Sequence, residues 1–184
     1  YSCLPSRFKS FIKKCSLSNS WNIRFLFIQY DCNKLEEFPQ KINGYPVKLS
    51  EPTSIKFTRS SNINMLYTLA RPNSIFFVVD IDITIGDDAI LNTLKYVRPG
   101  TVYFPIVWSK YSESSVSLAE KTLMTKFPTV SKHTGLWRFF GYGIFSIYSD
   151  DFSRIKMNEK FKTWGGEDND FFNRIKKNTG NVNS

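Results

Sequence analysis

Residues 75–82 read Ile75-Phe76-Phe77-Val78-Val79-Asp80-Ile81-Asp82. The apolar run Ile75–Val79 follows the turn signal Arg71-Pro72-Asn73-Ser74 and predicts a strand that runs straight into the first acid. Alternate residues of a strand share a side, so both carboxylates are expected to point one way at its carboxyl end. That edge is where open α/β sheets bind ligands. Two carboxylates there suit a hard divalent cation, which in turn neutralises phosphate oxygens. A strand-end turn carrying two solvated acids fits the same residues, so this stretch alone leaves the chemistry open.

Outward from this strand, elements of both kinds alternate. Phe8, Phe11, Ile12 and Cys15 fall at helical spacing within residues 6–15, predicting an amphipathic helix. Ile23 to Tyr30 reads as a buried strand, and residues 33–50 are mixed, with Pro39 and an Asn43-Gly44 turn. A helix is expected over Phe57 to Leu69. Gly86-Asp87-Asp88 opens another, with acids against the positive helix end, and Arg98-Pro99-Gly100 stops it. Val102 to Trp108 makes a strand broken by Pro105, residues 109–134 a polar excursion, Gly143 to Tyr148 a strand, and Asp170 to Lys177 a helix. This order implies an α/β layered domain.

Bulk properties bound the function. The 184 residues fit one domain able to bury a core. No run approaches the roughly 18 apolar residues that span a bilayer. Tyr1 and Ser184 both read as cuts, so any membrane anchor is expected outside this chain. The net charge of +9 is spread out, and no nucleic-acid module appears, which favours a basic surface or an acidic ligand over nucleic acid. Cys3, Cys15 and Cys32 do not match zinc spacing, and the lone His133 cannot complete a site with them.

A second constellation is Trp164-Gly165-Gly166-Glu167-Asp168-Asn169-Asp170. Paired glycines let backbone approach a ligand, and a Trp offers a flat face to a sugar. Adjacent acids at a helix start can bind hydroxyls and remove a proton. They also serve as a plain helix cap.

Asp80 to Ile85 also fits the opening motif of haloacid-dehalogenase-like phosphohydrolases, with Asp80 as nucleophile and Asp82 as general acid. That chemistry needs an acidic pair at the end of a later apolar strand, whereas Glu167-Asp168 follows Lys160-Phe161-Lys162-Thr163-Trp164-Gly165-Gly166. Five segments in order resemble a different group, the chondroitin N-acetylgalactosaminyltransferase and chondroitin synthase family, related to the beta-1,4-galactosyltransferases. They are Phe57-Thr58-Arg59, Phe76 to Ile83, Tyr103 to Ser109, Thr134 to Ile144 with its Thr-Gly-x-Trp-Arg-x-x-Gly-x-Gly pattern, and Trp164 to Asp168.

The resemblance implies a single GT-A domain over residues 1–184, with a Rossmann-like mixed sheet flanked by helices. A nucleotide-sugar half would cover about residues 1–100 and an acceptor half about 101–184. It implies a UDP-sugar donor, N-acetylgalactosamine first among the sugars, manganese, and an acidic glycosaminoglycan-type acceptor. Carried over, Asp82 would bind the metal, Arg59 and Asp80 the nucleoside, and Trp137 would line the donor site. Asp168 would be the base, with Glu167, Trp164, Gly165 and Gly166 positioning the acceptor. A histidine beyond Ser184 would complete the metal site. Golgi localisation as a type II membrane protein is implied too. A catalytically weak domain acting as a paired synthase subunit is the expectation of a different class.

Overall fold

The computed structural model describes residues 17, 21–28, 39–50, 53–54, 56–110, 135–138, 142–163, 165–179 and 181–183. The chain divides into two compact units, one of residues 1–104 and 142–183, the other of residues 105–141. The expected helix at 6–15, the three cysteines, His133 and Trp164 lie outside the described residues, as do residues 111–134 of the polar excursion.

The first unit carries two sheets. In one, strand β1 (Phe25–Phe27) pairs in parallel with β3 (Tyr45–Leu49), and β2 (Lys41–Ile42) pairs with β3 antiparallel. Asn43 and Gly44, between β2 and β3, both take positive φ, 49° and 82°, the dihedral signature of a two-residue hairpin turn. The Asn-Gly turn signal therefore marks a hairpin whose two strands the mixed composition of residues 33–50 had hidden. The buried strand expected at Ile23–Tyr30 is shorter and wetter. It spans three residues that are half-buried, because β1 is an edge strand with one neighbour.

The second sheet runs in the order β4-β8-β5-β9, made from β4 (Ile75–Val78), β8 (Phe145–Tyr148), β5 (Thr101–Tyr103) and β9 (Asn181–Asn183). β8 is antiparallel to both β4 and β5, while β5 and β9 are parallel. Its strands are framed by four described helices: α1 (Arg59–Thr68), α2 (Asp87–Tyr96), α3 (Ser149–Ile155) and α4 (Glu167–Thr179). The helix expected over Phe57 to Leu69 is trimmed to 59–68, because Thr58 acts as its N-cap and Leu69 as its C-cap, and the helix at 87–96 falls where the sequence puts it. α4 begins three residues earlier than Asp170, because Glu167 and Asp168 form its acidic first turn rather than precede it. The architecture is mixed α/β with small sheets.

β4 is apolar on both sides because it separates two cores. Phe76 and Val78 enter a cluster with Val102, Phe145, Ile147, Phe152, Phe171 and Ile175, while Phe77 and Val79 pack against Ile42 and Ile85. Phe152 lies at the centre of the first cluster, fully buried, with ring centroids 5.1 Å from Tyr67, 5.2 Å from Phe76 and 5.8 Å from Phe171. α4 presents Phe171 and Ile175, four residues apart and both fully buried, to the same cluster. That spacing places both on one helical face.

The strand expectation for the two acids needs correction. β4 ends at Val78, and the Ile83 amide donates to the Asp80 carbonyl at 3.1 Å, closing a turn. Asp80 and Asp82 therefore occupy a turn outside the pleat, where alternation no longer fixes direction, and Asp82 is exposed.

In the second unit, β6 (Val107–Lys110) and β7 (Gly135–Arg138) form an antiparallel pair with Trp108 opposite Trp137. Ser109 and Lys110, expected at the start of the polar excursion, belong to β6.

Truncating Phe152 to Ala removes a ring from the middle of the aromatic cluster. The expected cost is about 3–5 kcal/mol, read as a shift of the urea midpoint with an unchanged slope.

Candidate active site

Antiparallel pairing of β4 with β8 sets Val78 opposite Phe145. The carboxyl end of β4 therefore lies beside the amino end of β8. The turn carrying Asp80 follows the first, and Gly143 precedes the second. The N-termini of α1 and α4 bring the remaining groups.

Arg59 is the first residue of α1, placed there by Thr58, whose hydroxyl accepts the Ser61 amide at 3.3 Å as an N-cap. A cation at the positive end of a helix is unfavourable by about 0.3–1 kcal/mol, so an ordinary helix would not start this way. Two carboxylates offset it. Arg59 Nη1 donates to Asp80 Oδ1 at 2.5 Å and Nε donates to Asp168 Oδ1 at 3.1 Å, while Nη2 donates to the Gly143 carbonyl. Every edge of the planar guanidinium is thus engaged, and it links two acids 88 positions apart in the chain.

Exposure separates the three groups. The side chain of Arg59 is 18% exposed, Asp168 28% and Asp80 45%. Asp168 thus keeps access to a ligand while its environment is largely dry. Burial pushes its carboxyl above the ordinary aspartate value, and the negative charges of Glu167 and Asp80 add to the rise, which Arg59 only partly opposes. Burial alone would weaken the Arg59 cation, but attraction and hydrogen bonding to Asp80 and Asp168 outweigh it, and its pKa is raised.

Of the other residues singled out in the sequence, Glu167 is 4% exposed and accepts the Gly165 amide at 2.8 Å. Its carboxylate is folded back over the start of α4. Gly165 and Gly166 have φ of 108° and 89°, a left-handed pair that residues with a Cβ rarely adopt. The path it creates lets Glu167 reach back. Asp82 is exposed beside the cluster in sequence and takes no part in the clamp. Trp137 belongs to the second unit, 45% exposed, its ring edge-on to Trp108 with centroids 5.1 Å apart. Gly143 was legible only as part of a glycine-rich segment. Its carbonyl is a partner in the clamp that no side-chain motif could announce.

Among the described residues, no group of three or more His, Cys, Asp and Glu converges to form a metal cage. The donor set that remains, the exposed Asp82 carboxylate next to the engaged Asp80, fits a hard cation held chiefly by substrate phosphates and one or two carboxylates.

A model of the chondroitin N-acetylgalactosaminyltransferase family matches residues 16–183. The chain belongs to this family. It is 24% identical over 180 residues to human (Homo sapiens) chondroitin sulfate synthase 3, an alignment covering 92% of the chain and 20% of that relative. Mouse (Mus musculus) chondroitin sulfate synthase 3 is 27% identical over 126 residues, 67% of the chain and 14% of the relative. Human chondroitin sulfate N-acetylgalactosaminyltransferase 1 is 34% identical over 106 residues, 52% of the chain and 19% of the relative. The chain thus spans about a fifth or less of the length of the curated relatives it matches. No solved structure matches it.

The clamp has a consequence for stability. Because the folded-state pKa of Asp168 is raised, its stabilising contribution is greatest below the ordinary carboxylate range and is lost as pH rises through the folded value. Replacing Arg59 with Gln removes the influence that, among the described residues, opposes the rise. Arg59→Gln should destabilise by about 1–3 kcal/mol at pH 7, and the deficit should shrink at pH 4 as Asp168 takes up its proton. Urea titrations of both proteins at the two pH values measure this.

Proposed function

We propose that this domain is an inverting glycosyltransferase that moves N-acetylgalactosamine from a UDP-sugar to a glycosaminoglycan-type acceptor. The observation carrying the proposal is the Arg59 clamp. In it a turn acid, Asp80, and a helix-start acid, Asp168, share one guanidinium, while Asp168 keeps a raised affinity for protons. Family membership supports the chemistry, and the names of the relatives support the sugar. The same membership argues against the haloacid-dehalogenase-like reading of Asp80. A GT-A arrangement is part of the proposal.

In this reading Asp168 accepts the proton of the acceptor hydroxyl as its oxygen attacks the anomeric carbon. The bond from that carbon to the UDP oxygen breaks on the opposite face, so the configuration inverts. Asp80 and Arg59 hold the nucleoside side of the donor. Trp164, Gly165 and Gly166 bind the acceptor. Glu167 supports them by fixing the backbone at Gly165. Manganese, held by Asp82 and the donor's diphosphate, would neutralise the charge developing on the leaving group. The net charge of +9 suits an acidic acceptor chain.

Asp168→Asn keeps the shape of the side chain and removes the base. Transfer from UDP-N-acetylgalactosamine, followed as UDP release, should fall by about 10²- to 10⁴-fold with an unchanged circular dichroism spectrum. Full activity in this variant would refute the role of Asp168. Omitting manganese should likewise abolish transfer. UDP with manganese should raise Tm. If it does not, a partner subunit without its own donor site becomes the better reading.

A further inference from the structure

Gly143 stands immediately before β8 with a φ outside the left-handed region, so its backbone makes no demand for glycine. Space does. A Cβ at position 143 would lie 2.9 Å from Arg59 Nη2, 2.9 Å from Asp168 Oδ2 and 3.5 Å from Arg59 Cζ. Contact of a new methyl with the tip of a long side chain is ordinarily cheap, because the tip swings away. Here it cannot do so freely. Nη1 of the same guanidinium is on Asp80, Nε is on Asp168, and Nη2 is on the carbonyl of Gly143 itself. Moving the tip breaks a charge-assisted hydrogen bond, and moving Asp168 displaces the carboxylate that would meet the acceptor.

We infer that Gly143 is a positioning residue for the transfer reaction: its carbonyl and its missing side chain together fix the Arg59 guanidinium between Asp80 and Asp168. The inference rests on the transferase reading for its catalytic consequence, and on the geometry alone for the clamp. Gly143 touches neither donor nor acceptor in this account. It acts through Arg59 and through the direction in which Asp168 is held. Among the described residues, the charged groups facing Asp168 are Arg59 from α1, Asp80 from the turn after β4, and Glu167 from α4. Loosening Arg59 leaves Asp168 with burial and two like charges, all of which favour its protonated form.

The test is Gly143→Ala, alone and in an Arg59→Lys background, where Nη2 is absent. Two readouts are taken. The first is the pH titration of the Asp168 carboxyl, followed by carbon NMR on aspartate-labelled protein, which requires no activity. The second is steady-state transfer from UDP-N-acetylgalactosamine as a function of pH. Gly143→Ala should move the Asp168 midpoint upward while the circular dichroism spectrum stays the same. It should also lower kcat by about 10- to 100-fold, as expected for a reacting group misplaced by around 1 Å, with a smaller change in KM. The acid limb of the rate profile should move upward with the midpoint. In the Arg59→Lys background only the direct contact with Asp168 Oδ2 remains, so the substitution should change both readouts less than it does in the wild-type background.

An unchanged midpoint in Gly143→Ala would overturn the clamp. A shifted midpoint with unchanged kcat in an active enzyme would overturn the positioning role. Unfolding by Gly143→Ala in both backgrounds would make the glycine purely structural and overturn the inference as well. Absence of transfer by the wild-type protein would refute the proposed reaction, and the NMR midpoint would still decide the clamp.

Discussion

A single guanidinium ties together the parts of this protein that matter most to its proposed chemistry. Arg59 begins α1, Asp80 follows β4, Gly143 precedes β8 and Asp168 lies in the first turn of α4. Each of those segments ends or starts at the same place, and Arg59 bonds to all of the others. An isolated pair between an arginine and a half-exposed carboxylate contributes little, because water screens it and two side chains must be ordered. The arrangement here differs because one planar group satisfies three partners at once. Ordering Arg59 for one bond orders it for the rest.

The fold supplies the rigidity this requires. β4 is held by apolar contacts on both sides, with Phe76 and Val78 in one core and Phe77 and Val79 against the other. α4 is fixed by the burial of Phe171 and Ile175, and also by Arg174, which bonds Asp170 and the carbonyls of Ile155 and Lys156. α1 is anchored at Asn64, whose side chain exchanges hydrogen bonds with the backbone of Met157. Asn64 is a poor helix former, and its place in mid-helix is explained by that tertiary link rather than by propensity. The carboxylates therefore rest on elements whose positions are set by packing. Packing sets most of the frame, and the Arg59 clamp joins its elements at the site end.

How the two acids of each motif divide their work also follows from position. After β4 the chain leaves the sheet, so Asp80 turns to Arg59 while Asp82 faces solvent. At α4 the left-handed pair Gly165 and Gly166 lets Glu167 curl back to the Gly165 amide, and Asp168 is left as the acid facing the clamp. In each pair, one acid is built into the clamp and the other is assigned elsewhere by local backbone geometry.

Much of this was written in the chain itself. The apolar run ending at Asp80, the helix over Phe57 to Leu69, the helix start at Asp87, and the ordered motifs that led to the family are local patterns, and local patterns survive folding because they reflect propensity and periodicity. The hairpin at Asn43-Gly44 was half legible, since its turn was marked and its two-residue first strand was too short to show a period. What sequence could not supply were relations between distant segments. Strand alternation predicted a shared direction for Asp80 and Asp82, and the chain's departure from the sheet removed the premise. No motif states that Asp80 and Asp168 share Arg59, that the Gly143 carbonyl completes the ring of partners, or that burial raises the proton affinity of Asp168. Those facts arise from desolvation and from the antiparallel register of β4 and β8, which exist only once the chain has closed on itself. The sequence determined which residues carry charge and where the elements begin; tertiary packing alone decided which of those charges meet.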